Sequence, residues 1–145
     1  MSDLVFDTEP LIAYVYDEPG TDRVQDLLER VDAGDVTAAI SEATATEIVY
    51  KIARLQADGR PDEADLADGR QQVDSFVAGG IELVPPTESW PIAARVKAGG
   101  AIALGDAFAV ALAVERDRTL VVGADRDFDD LPVDVTVERI RSDPA

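Results

Sequence analysis

Short apolar runs alternate with longer stretches of helical periodicity along the whole chain. Leu4-Val5-Phe6 reads as a buried strand, because three successive apolar residues leave no face for water. Thr8, Glu9 and Pro10 then open a helix over about Leu11 to Tyr16, proline being welcome in a first turn. Pro19-Gly20 breaks it. Thr21 caps a second helix, which carries Val24, Leu27, Leu28 and Val31 at helical spacing and ends at Gly34. Val36 to Ile40 is a second strand. Ser41 begins a long helix, about Glu42 to Ala57, with Ile48, Ile52 and Leu55 as its apolar stripe. After the Gly59-Arg60-Pro61 turn, Asp62 starts a helix to about Ala78, with Leu66, Val73 and Phe76-Val77 facing inward. Gly79-Gly80 closes it. Ile81 to Val84 forms a third strand, and Pro85-Pro86-Thr87 leads into a helix over about Glu88 to Lys97, apolar at Trp90, Ile92, Ala93 and Val96. Asp106 begins an Ala-rich helix, Ala107 to Val114, that is apolar nearly all round and therefore central. Thr119 to Val122 is a fourth strand, and Val133 to Ile140 contains a fifth. Strands alternating with helices imply a mostly parallel sheet with helices on both faces.

The 145 residues show no internal repeat, low-complexity tract or linker, so residues 1–145 read as one domain. A hydrophobic content of 46% suffices for a core, which argues against disorder. No apolar run is long enough to span a membrane. Met1-Ser2-Asp3-Leu4 has neither the basic region nor the apolar region of a signal peptide, so a cytoplasmic location is expected.

Charge and chemistry alter this picture in two ways. Asp and Glu number 30 against 13 Lys and Arg, a formal net charge of −17 spread over the whole chain, and only Lys51 and Lys97 are Lys. A dispersed acidic surface poor in Lys suits a halophilic cytoplasm, where at ~1 M salt the Debye length is about 3 Å and self-repulsion is screened. Such a charge does not exclude a nucleic-acid substrate. There is also no Cys and no His. A Cys/His zinc site, a Cys nucleophile, a disulfide framework, a Ser-His-Asp triad and RNA cleavage by a His pair are thereby excluded. Carboxylates remain, as acid/base groups or as ligands of hard cations such as Mg²⁺ or Mn²⁺.

In open α/β sheets, ligands bind beyond the carboxyl ends of the strands. Asp7 follows the first strand directly, and Asp125 follows the fourth after Gly123-Ala124. Asp106 opens the central helix, and Glu47 lies in the first third of the helix leaving the second strand. Four distant carboxylates thus converge on one rim, an arrangement that makes physical sense around a cation. Each has a plainer reading. Asp7 and Asp106 suit helix N-caps, Glu47 suits a surface pair with Lys51, and Asp125 suits an acidic turn with Asp127, Asp129 and Asp130.

At these residues the chain resembles the PIN-domain family of metal-dependent ribonucleases, and most of all the VapC-like toxins of VapBC type II toxin–antitoxin systems. "VFDTEPLIAY" looks like the opening strand with its Asp7, "SEATATEIVYKIAR" like the helix with Glu47, "LGDAFAVALA" like the third motif with Asp106, and "LVVGADRDFDDL" like the last, with Asp125 and, as a possible fifth carboxylate, Asp127. There are two departures. Gly123 stands where the family usually has Ser or Thr, and Glu9 where a small polar residue is common.

The resemblance implies a PIN-like three-layer α/β/α sandwich with a mostly parallel central sheet. It also implies that Asp7, Glu47, Asp106 and Asp125 hold one or two Mg²⁺ or Mn²⁺ ions whose bound water attacks RNA phosphodiesters. Products would carry 5′-phosphate and 3′-hydroxyl ends, with Asp7 or Asp125 orienting the water and Arg126 a candidate for phosphate contact. A homodimer and silencing by a cognate antitoxin protein are implied as well, and the helices around Leu11 to Tyr16 and Ile48 to Leu55 carry apolar surface for such contacts. Three other readings use the same residues. One is a PIN-type nuclease for RNA maturation or DNA without an antitoxin. Another is a non-catalytic receiver-like Mg²⁺-binding signalling domain, which the absence of any Lys after Lys97 argues against. The third is an inactive binding module.

Overall fold

The computed structural model describes residues 2–142. Five strands form a single sheet: β1 (Leu4–Phe6), β2 (Ala38–Ser41), β3 (Ile81–Val84), β4 (Thr119–Val122) and β5 (Val137–Arg139). Six helices connect them: α1 (Thr8–Val15), α2 (Thr21–Asp32), α3 (Glu42–Gln56), α4 (Glu63–Ala78), α5 (Trp90–Ala98) and α6 (Leu104–Arg116). The strand order is β3-β2-β1-β4-β5, and every pairing is parallel, beyond the mostly parallel sheet expected.

Alternation along the strands divides the core into two layers. Leu4, Phe6, Ala38, Ile40 and Val121 meet Leu11, Val24, Leu27, Ile48, Val73 and Phe76 on one face. Val5, Ala39, Leu120 and Val122 meet Ala93, Val96, Val110 and Leu112 on the other. The result is a three-layer α/β/α sandwich. The central helix is as the sequence predicts: Ala107, Ala109, Val110, Ala111, Leu112 and Ala113 of α6 are all buried, and their small side chains bring the helix close to β1, β2 and β4.

Several boundaries and faces differ from expectation. Helix α1 starts at Thr8, directly after Asp7, and α6 starts at Leu104, so Asp106 is not its first residue. The second strand lies at Ala38–Ser41, with Val36 buried in the lead-in. Leu55 is 62% exposed although it shares a helix face with Ile48. Length explains this. A helix as long as α3 spans roughly 22 Å, whereas the strand before it spans roughly 13 Å, so the last turn overshoots the sheet. Leu66, Val77 and Trp90 are likewise more exposed than an inward face would allow.

Ser41 caps α3 as its position predicts. Its Oγ accepts the Thr44 amide at 3.0 Å and donates to Thr44 Oγ1 at 3.2 Å, all of it buried. Ser41→Ala orphans that amide and is expected to cost about 1–2 kcal/mol of stability, measured by urea denaturation. An unchanged midpoint would show that the cap contributes nothing.

Candidate metal centre

β1 lies at the middle of the sheet, with β2 on one side and β4 on the other. The chain first winds outward through β2 and β3, then returns to add β4, which makes the β1–β4 boundary the topological switch point. Asp7 leaves β1 at that boundary, and its amide donates to the Val121 carbonyl of β4 at 2.9 Å.

Asp7 occupies the N-cap position of α1, in extended conformation (φ −76°, ψ 173°), yet its carboxylate caps nothing. It is 3% exposed, and Oδ1 has no hydrogen-bond partner. Buried polar groups of this kind are costly and call for a functional explanation. Asp7 is thus the N-cap residue by position, without a side-chain capping bond. Asp106 is not a cap: Ala103 holds that position, and Asp106 sits in the first turn of α6, where the helix dipole favours an anion.

Glu47 projects from α3 toward the start of α6. A side chain on Gly105 would overlap the Glu47 carboxylate, so the absence of a Cβ there is what admits Glu47 to the rim. Its other oxygen lies 3.7 Å from Lys51 Nζ, and the Glu47 side chain is only 15% exposed. The plain pairing with Lys51 and a place in the cluster hold together. Asp125 follows β4, and its Oδ1 accepts the Asp127 amide at 2.8 Å at the start of the short 3-10 turn Arg126–Phe128. The turn reading is likewise correct in its geometry, and compatible with the rim.

Electrostatics tie four of the five predicted carboxylates together. Burial pushes the Asp7 carboxyl well above its ordinary range, and the charges of Asp106 and Glu47 add to this, with the Thr8 amide opposing. Asp106 is raised to about 6, first by burial and then by Glu47 and Asp125, while a side-chain hydrogen bond with Asp7 and the charge of Lys51 work the other way. Both carboxyls thus hold their protons more tightly than isolated ones do. Asp127 contributes the amide that holds Asp125. Among the described residues no three of these side chains close into a ready-made coordination sphere, so ligation requires water bridges or side-chain rotation.

The pH dependence has a definite sign. The unfolded Asp106 titrates near 3.8 and the folded one near 6, so between these values the folded state holds more protons. This contribution favours folding at low pH and is lost as pH rises through about 6; Asp7 extends the window upward. Thermal melts in EDTA are expected to give a lower Tm at pH 7.5 than at pH 5, with Mg²⁺ narrowing the gap. A Tm that rises over this interval would contradict it.

Sequence reasoning passed over three groups at this rim. Gly105 stood out only as the residue before Asp106 in its motif. Arg139 donates to the Asp125 carbonyl at 2.8 Å and also pairs with Asp129. Arg141 donates to the Pro19 carbonyl at 3.0 Å and pairs with Glu9. The available signal was the Arg-Ile-Arg spacing, which puts both arginines on one side of an extended strand. Arg126, the proposed phosphate contact, is exposed and makes no ion pair among the described residues.

A sequence model of the family described as PIN domain matches residues 4–134. No curated protein matches. Among solved structures, a chain of VapBC2 from Rickettsia felis, bound to a promoter DNA fragment, superposes with a TM-score of 0.70 at 17% identity, covering 94% of this chain and 97% of that one. A chain of DNA-bound VapBC from Salmonella typhimurium gives 0.67 at 17% identity over 97% and 100%. A chain of VapBC-5 from Mycobacterium tuberculosis gives 0.57 at 20% identity over 97% and 99%. At these identities the likeness is one of fold.

Proposed function

Because the chain belongs to the PIN domain family, we propose that it is a metal-dependent endoribonuclease, hydrolysing RNA phosphodiester bonds as the toxin of a toxin–antitoxin pair. The observation that carries this reading is a buried Asp7 carboxylate with one oxygen unpartnered, crowded by Asp106 and Glu47 at the switch point of a parallel sheet. That crowding is unfavourable in the protein alone and is relieved by a cation.

The donors fit a hard divalent ion: they are all carboxylates, set on two helix starts, one helix face and one pinned turn. Asp7, Glu47, Asp106 and Asp125 would hold Mg²⁺ or Mn²⁺, with Asp127 an outlying candidate. Such an ion, when bound, supplies a water of lowered pKa and neutralises charge on the phosphoryl group. The protein's own residues do the rest. Asp7 and Asp106 would hold the ion as carboxylates, their protons passing to solvent. The start of α6 supports the charge on Asp106. Lys51 and the bare backbone of Gly105 aim Glu47. Arg126, which makes no carboxylate pair among the described residues, would meet a phosphate of the RNA strand from its position beside Asp125.

An antitoxin partner and a homodimer belong to the same proposal. The relatives described above are VapBC complexes. Tyr14 and Tyr16 of the α1 end are 40% and 39% exposed, and Leu55 projects from α3, which leaves apolar surface for a partner chain. No helix among the described residues is long and apolar enough to cross a membrane.

The test is cleavage of single-stranded RNA with Mn²⁺. The expected result is loss of cleavage in EDTA, recovery with added metal, and products bearing 5′-phosphate ends. Cleavage of DNA alone, or of RNA in EDTA, would overturn the assignment.

A further inference from the structure

Asp125 stands apart from the other three carboxylates. Asp7 and Asp106 sit at helix starts and Glu47 on a helix, whereas Asp125 lies on an exposed loop. A loop ligand must be ordered before it can bind an ion well, and ordering a free backbone costs roughly 1–2 kcal/mol per residue. The structure provides the ordering from the far end of the chain. The Ile140 amide donates to the Val122 carbonyl at 3.0 Å, fixing the last residue of β4. The Arg139 guanidinium reaches over the turn to the Asp125 carbonyl at 2.8 Å and, through its other nitrogen, to Asp129. Asp129 closes the turn by donating its amide to the Arg126 carbonyl at 2.9 Å.

Gly123 lies between these anchors, and it is covered rather than free. A Cβ on Gly123 would overlap the Glu9 carboxylate, so Glu9 lies against its bare backbone. Glu9 is held there by Arg141, whose side chain is only 12% exposed and whose second nitrogen is fixed on the Pro19 carbonyl. The two departures at Glu9 and Gly123 are therefore one feature: the missing side chain makes the seat, and the carboxylate fills it.

We propose that Arg139, Arg141 and Glu9 form a brace that positions Asp125, with Glu9 seated on Gly123, Arg139 supplied by the end of β5 and Arg141 by the segment just after it. This rests on the metal-nuclease reading and adds positioning residues to it. None of the three touches the substrate or the reacting atoms in this scheme. They hold the main chain on either side of Asp125, so that the carboxylate meets the ion already in place. Loss of an outer partner of a metal ligand typically weakens affinity about 10–100-fold.

Two measurements on the full-length protein test it: Mn²⁺ titration calorimetry, and amide hydrogen exchange over residues 122–130 without metal. Arg139→Met and Gly123→Ala are expected to weaken Mn²⁺ binding about tenfold or more and to accelerate exchange through the turn, with circular dichroism unchanged. Glu9→Ala combined with Gly123→Ala removes the overlap but not the deficit. Arg23→Gln serves as the structural control. It breaks the 2.6 Å pair with Glu138 on the same strand, away from Asp125, and is expected to leave both readouts near wild type. The brace is overturned if folded Arg139→Met binds Mn²⁺ within about twofold of wild type, well short of the usual outer-partner effect. It is also overturned if the double variant regains full affinity, or if Arg23→Gln does equal damage. Wild-type protein that binds no Mn²⁺ overturns the nuclease reading instead, and unchanged exchange in the variants overturns the brace independently of it.

Discussion

Asp7→Asn is expected to abolish metal-dependent RNA cleavage and at the same time to raise the Tm of the metal-free protein. Both effects have one cause. Asp7 is buried, has an oxygen without a partner, and faces the charges of Asp106 and Glu47. Asn keeps the shape and cannot ionise, so it mimics the protonated Asp7 that the metal-free fold favours and relieves the repulsion. The same neutrality removes an anionic ligand. Loss of outer partners alone costs about 10–100-fold, so loss of a buried direct donor is expected to exceed a hundredfold, roughly, in rate. Cleavage assays with Mn²⁺ and melts in EDTA at pH 7.5 check both halves. Retained activity would remove Asp7 from the site; a lowered Tm would refute the electrostatic account of its burial.

Gly105→Ala carries the second large effect, and intuition about helices gives it the wrong sign. Replacing a helical glycine by alanine ordinarily stabilises by up to about 1 kcal/mol. Here the new methyl would overlap the Glu47 carboxylate and drive that side chain off the rim. The expected outcome is a protein with normal circular dichroism and an equal or higher Tm, but with Mn²⁺ affinity and cleavage reduced about tenfold or more. Glu47→Gln should give a similar deficit, and adding it to Gly105→Ala should cost little further, because both remove the same ligand. Full activity in Gly105→Ala would mean that Glu47 does not serve from its observed position.

Much of the fold was legible because its signals are local. Ser41 and Asp62 announce their helices through side-chain capping, Ser41 with Thr44 and Asp62 in a reciprocal box with Asp65. The apolar strands and the Ala-rich α6 follow from burial on both sides. Leu55 misled because periodicity reports which face a residue shares, whereas exposure depends on where the sheet ends. The start of α6 was misplaced because Ala103 caps it without a side-chain bond, leaving no signature in the sequence. In the candidate site, Asp7 and Asp125 were readable from their places after strands. The roles of Gly105, Glu9 and Arg141 were not, since each depends on a contact between segments distant in sequence. Asp127 was read from its motif; its amide serves Asp125.

The parallel order also has a consequence for biosynthesis. β1 emerges from the ribosome before its partners, but the neighbour that completes the rim is the fourth strand, and Arg139, which steadies it, comes from the fifth. Parallel pairing across so long an interval forms late, after its loop closure has been offset by other contacts. A partly translated chain can bury α1, α2 and α3 against β1 and β2 while Asp125 is still unmade. Proposed as a nuclease, this chain would lack a complete rim until β4 and β5 had both been made.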